Sequence, residues 1–210
     1  MKNHYINSSF KKKHCGKGSA IAEFAPALMV LFLIIIFPLI NFLGLASASM
    51  TVNTMVNNLA VQVSKTLSFN DALQILKTKG YSLNQSGLAK LAKSVPIGGY
   101  QNLGVDLYIV QMNITASDDD GSSAQISDAN QPWNKNQINL SNYIYQYKLV
   151  GRYSLIPFIC MSNIPLLNSI PGLGAPWNYT TQTLVSVEHP SGLDNGSNYV
   201  LSNGMYINNK

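Results

Sequence analysis

The chain has 210 residues, 46% hydrophobic and only 11% charged, with a formal net charge of +5. Lys2, Lys11, Lys12, Lys13 and Lys17 supply that whole excess before Gly18, and the remainder is electrically balanced. The basic character therefore belongs to a leader. It does not mark a nucleic-acid-binding face, which would carry Lys and Arg on a folded surface among aromatics, and two cysteines exclude a disulfide-built scaffold.

Residues 1–18, MKNHYINSSFKKKHCGKG, have no apolar period and read as a disordered cytoplasmic leader. His14 and Cys15 are neighbours, too few for a metal or redox site, and an incidental thiol is the plainer reading. From Phe24 to Leu45 no residue is charged and only Asn41 is strongly polar. As a helix those residues extend about 33 Å at 1.5 Å each, against roughly 30 Å for a bilayer core. A helix apolar all round is either a membrane span or the centre of a large core, and one strand-rich domain of this size rarely encloses such a helix. The basic block stays cytoplasmic by the positive-inside rule, which places the rest of the chain across the membrane. Pro26 and Pro38 are expected as tolerated kinks, the second bending the helix in a weak region continued by Asn41 and Gly44. Glu23 sits at the mouth of the run. A carboxylate in lipid costs about 2.5–3.5 kcal/mol at mid-membrane and less near the edge. Glu23 is thus either a headgroup-level end to the span or a residue with a partner.

The junction Gly18-Ser19-Ala20-Ile21-Ala22-Glu23-Phe24-Ala25 adds a pattern. With Ser19 as +1, Glu23 is at +5 and Phe24 at +6, ahead of an unbroken apolar helix. This resembles the class III signal of type IV pilins. More closely, it resembles the TadE/TadG-like minor pseudopilins of tight-adherence (Flp) pilus systems, over about residues 16–66. The resemblance implies a prepilin peptidase cutting between Gly18 and Ser19, and Glu23 with Phe24 serving subunit docking through the new N-terminal amine of a neighbour. Other pilins or pseudopilins and the pilus assembly platform are the implied partners. Members of such a family also act as uncleaved anchors. A rival lies at Ala46-Ser47-Ala48, a small-residue pattern after which a signal peptidase could cut. The apolar run, however, is longer than the usual 7–15-residue core of a signal peptide.

Beyond the span, Met55, Leu59 and Val63 with Val52 and Val56 form a helical stripe. The span is expected to continue as one helix to about Leu67. The organisation expected is a leader 1–18, a transmembrane and stalk helix 19–67 and an extracytoplasmic head 68–210. Phe69–Thr78 predicts a helix after an Asn-Asp cap region, ending at Gly80, and Asn84–Ser94 a second short one before Pro96. Period-two alternation then takes over in Leu103–Thr115, Tyr143–Leu155 and Tyr179–Glu188, and Tyr199–Leu201 could add an edge strand. The class is α+β: a long N-terminal membrane helix leading into a head of short helices and an antiparallel sheet of three to four strands.

The tyrosine row of the second strand could serve carbohydrate adhesion, although plain sheet packing is the usual role of such residues. Asp118, Asp119 and Asp120 with Asp128 are oxygen ligands a calcium ion could use, but their spacing matches no EF-hand loop and a solvated hairpin loop is the better reading. Ile156–Trp177 is apolar and proline-bearing, and lies either on the membrane surface or over the sheet. Cys160 falls across the bilayer from Cys15. No metal spacing, phosphate loop or nucleophile-base set appears, since His189 stands alone outside the leader and Glu188 faces the other way along a strand. The expectation is a non-enzymatic assembly subunit without cofactor. The alternative is a membrane-anchored or signal-peptide-cleaved binding protein whose head recognises a surface.

Overall fold

The computed structural model describes residues 17–114, 124–133, 138–194, 198–200 and 206–208. The chain divides into two units, Met1–Leu39 and Ile40–Lys210.

The first unit is helical wherever it is described. Helix α1 runs Lys17–Leu31 and a π-helical turn spans Phe32–Ile36. Helix α2 begins at Phe37 and runs to Ser64. The Phe37 N–H donates to the Phe32 carbonyl, one residue farther back than in an α-helix. Pro38 has no N–H and its ring crowds the carbonyl four residues earlier. A π-turn immediately before it gives that ring room, so the helix passes Pro38 without ending. From Phe24 to Ile40 no residue is buried.

The second unit is an α+β head built on the rest of α2. Asn41, Leu45, Ala48, Val52, Met55, Val56, Leu59, Ala60 and Val63 are all buried on one side of that helix. Their three- and four-residue spacing is the apolar stripe of a helix packed on a core. The helix stops at Ser64 rather than near Leu67, because the Ser64 carbonyl turns to accept the Glu188 N–H at 3.0 Å. Helix α3 spans Phe69–Asn84. Its N-cap is Ser68, whose hydroxyl accepts from the Asp71 N–H at 3.1 Å and donates to the Asp71 carboxylate at 2.7 Å, which satisfies one of the free N–H groups of the first turn. The helix does not end at Gly80. That residue is buried against Leu103, and tertiary contact outweighs its weak helix propensity. Helix α4 is only Gly87–Leu91, capped by Ser86.

The sheet has five strands where three or four are expected. Strand β4, Tyr143–Leu155, is its spine. One edge of β4 pairs antiparallel with β2, Val105–Asn113, and then with the short β1, Ser94–Pro96; the other edge pairs with β5, Trp177–Ser186. Strand β3, Ala124–Ile126, extends β2 outward. Strand β6, Asn198–Val200, does not join this sheet as an edge; it pairs with β7, Tyr206–Asn208. Alternation along β4 is complete: Tyr145, Tyr147, Leu149, Gly151, Tyr153 and Leu155 face the core, and the even-numbered residues face out. Val105, Leu107 and Ile109 of β2 join them inside. The tyrosine row is therefore core packing. Burial pushes the Tyr147 phenol well above its ordinary pKa, and that of Tyr153 to about 12. Helix α2 lies directly on β4 at Gly151, where an added Cβ would come within 2.7 Å of Val56.

Candidate functional site

The residues of the N-terminal signal are helical. Gly18, Ser19, Glu23 and Phe24 all lie in α1. Phe24 is 63% exposed, as are Met29 and Ile34 to similar degrees, so this surface is apolar and uncovered within the chain. Asp118, Asp119 and Asp120 lie outside the described residues, and Asp128 is exposed on the loop after β3. Among the described residues, no three His, Cys, Asp or Glu side chains gather where they could share a metal ion.

A collar around the base of α2 is the arrangement that sequence reasoning missed. Asn41, the lone polar residue of the apolar run, is fully buried. Its Nδ2 donates to the Ile159 carbonyl at 2.8 Å, and its Oδ1 accepts the Ile159 N–H at 2.7 Å. One side-chain amide thus satisfies both backbone groups of a residue 118 positions away, as a strand partner would. One turn on, Gly44 lets the Phe158 ring approach: an added Cβ would sit 2.2 Å from that ring. Leu45 packs beneath Gly172. The segment 156–176 is therefore fastened to α2 at Asn41–Leu45, and Asn41 and Gly44 are attachment points.

The turn between α4 and β1 closes the collar. Lys93 holds a left-handed conformation, φ 48°, after α4. Its carbonyl accepts the Ile156 N–H at 3.2 Å, its ammonium donates to the Phe158 carbonyl at 3.1 Å, and the same ammonium sits 5.4 Å from the centre of the Phe158 ring. Cys160 lies on this collar as a free, exposed thiol. The signal available in sequence was the charge-free stretch from Tyr153 to Val187, together with a lone amide inside an apolar helix; such amides need a partner.

One salt bridge of the head is structural. Arg152 of β4 pairs with the nearly buried Asp106 of β2, and Asn130 donates to the other Asp106 oxygen at 2.6 Å. Asn130 also accepts the Leu107 N–H at 2.9 Å, which pins the loop after β3 onto β2. On the helix side, Asn53 accepts from the Tyr179 hydroxyl at 3.1 Å, and Asn57 pairs with Thr183, so α2 is tied to β5 by polar contacts as well as packing. No family model, no curated protein and no solved structure matches this chain.

Proposed function

We propose that this protein is a pseudopilin-like assembly subunit of a tight-adherence type IV pilus or related secretion machine, held in the bacterial cytoplasmic membrane by one N-terminal helix. The N-terminus faces the cytoplasm and the head lies outside. The observation that carries this reading is the fate of the apolar helix. From Asn41 onward it is the core of the head, while the 17 residues 24–40 have no buried side. A soluble core helix would be enclosed along its length. A signal peptide cut after Ala48 would sever α2 in mid-helix, stripping Asn41, Gly44 and Leu45 from the collar and the buried Ala48 from the core. Keeping the helix and placing its free part in lipid satisfies both halves.

Within this reading the prepilin peptidase acts between Gly18 and Ser19. Cleavage removes the leader charge and exposes an amine that the Glu23 of a neighbouring subunit can meet, which offsets the cost of that carboxylate in lipid. Phe24 and the exposed apolar residues after it are the surface offered to other pilins and to the assembly platform. A second reading, an uncleaved anchor displaying a binding head, draws on the outer sheet face, where Met112, Ile126 and Ile144 are exposed side by side. Mass spectrometry of the mature N-terminus tests the proposal. Ser19 supports processing as a pseudopilin, Met1 supports the uncleaved anchor, and Ser49 rejects both.

A further inference from the structure

We infer that the collar is a lipid-contact surface that seats the head on an anionic phospholipid bilayer. The inference rests on the membrane-anchored reading above. Four observations carry it.

The first is composition. The 35 residues from Tyr153 to Val187 contain no charge, and Phe158, Leu166, Ile170 and Trp177 are exposed within or at the end of the collar segment. All four keep 39–87% of their surface exposed in the described structure. The second is position. The segment is bonded to α2 at Asn41 and packed on Gly44 and Leu45, and the neighbouring helix residues Phe42 and Leu43 are themselves exposed. The apolar surface of the collar is thus continuous with that of the helix where the helix leaves the head.

The third is Leu166. It is 87% exposed at a turn tip and holds φ 75°. Left-handed backbone favours Gly or Asn, and a water-facing tip favours a polar residue. Leucine breaks both local rules at once, which points to a demand other than folding. The fourth is charge. Lys90 and Lys93 are exposed and are the only charges between Gly87 and Val105. Lys93 holds its ammonium over the Phe158 ring, 5.4 Å from the ring centre, so a long cationic side chain lies beside the apolar collar, as lysines do at a headgroup boundary. Trp177, exposed at the end of the segment, is of the residue type enriched at membrane interfaces, and the lysines suit anionic headgroups.

The test uses the full-length chain with Cys15 and Cys160 replaced by Ser, reconstituted in vesicles of 70% phosphatidylcholine and 30% phosphatidylglycerol. A nitroxide is placed at Leu166, at Ile34 in the span, or at Asn70 at the start of α3. Accessibility to oxygen, which partitions into lipid, is compared with accessibility to an aqueous nickel chelate. The oxygen-to-nickel ratio at 166 is expected to match that at 34 and to exceed that at 70 several-fold. A 166 ratio equal to that at 70, with 34 still in lipid, overturns the inference and leaves the membrane anchor standing. Shielding of 166 from both reagents also overturns it, because a second protein chain and not lipid then covers the collar. A 34 label reached by nickel overturns the anchor and this inference together. As an independent variant, Leu166→Asn is expected to keep or raise the thermal midpoint in detergent while lowering the oxygen-to-nickel ratio of a label at Ile170. An unchanged ratio there contradicts the assignment.

Discussion

Replacing Asn41 by Leu separates two accounts of the same residue by sign. If Asn41 faced lipid with no partner, Leu would remove a polar group from hydrocarbon and stabilise the protein. In the structure its amide holds the Ile159 N–H and C=O at 2.7 and 2.8 Å. Asn41→Leu leaves both backbone groups without a partner at a half-buried site. An unsatisfied buried polar group costs about 1–3 kcal/mol; two groups at the low end of that range, because Ile159 is only half-buried, give a loss of about 2–3 kcal/mol. For a domain of 150–250 residues, each 1 kcal/mol lowers Tm by about 2–4 °C, so the drop is about 4–12 °C. Circular dichroism melts of the detergent-solubilised full-length chain read this directly. Hydrogen exchange supplies a local reading, in which the Ile159 amide loses protection while amides in β4 keep theirs. A higher midpoint, or an Ile159 amide as protected as before, would refute the reasoning.

Gly151→Ala places a methyl within 2.7 Å of Val56 and should cost about 1–3 kcal/mol by overpacking; Val56→Ala in the same chain should recover part of that loss, as a double-mutant cycle would measure. The raised phenol pKa values of Tyr147 and Tyr153 make the head alkali-sensitive. The folded state holds protons that the unfolded chain releases near pH 10, so stability is intact below pH 10 and falls from there upward by about 1.4 kcal/mol per pH unit for each tyrosine; Tyr153→Phe should flatten a circular dichroism titration between pH 10 and 12. Glu23→Ala should leave processing largely intact and reduce filament assembly, and normal piliation of that strain would reject the docking role. Gly18→Phe should leave the full-length form on a denaturing gel, where a mature-sized band would contradict the cleavage position.

Periodicity made much of the head legible. The Val52, Met55, Val56, Leu59, Val63 stripe and the odd-numbered face of β4 are buried as their spacing requires, because a continuous helix or strand keeps its period over many residues. The same logic failed where no period exists. Strands β1 and β3 are three residues each and exist only through the partners β4 and β2 supply. The end of α3 is not legible from Gly80, which is a breaker in isolation and a packing residue against Leu103 in the fold. The collar was hidden for a related reason: Asn41 and Ile159 are far apart in sequence, and the proline-bearing segment that carries Ile159 has no repeat to read. What sequence did offer was the anomaly of one amide in an apolar helix, and that anomaly marks the attachment.

The central claim is that the helix is kept in the finished protein, running from lipid into the core of the head. Sodium carbonate extraction of membranes from cells producing the protein tests it most directly. The account predicts that the head-bearing chain stays in the pellet with integral membrane proteins and is absent from the culture medium. A chain recovered free in the medium and beginning at Ser49 would contradict it.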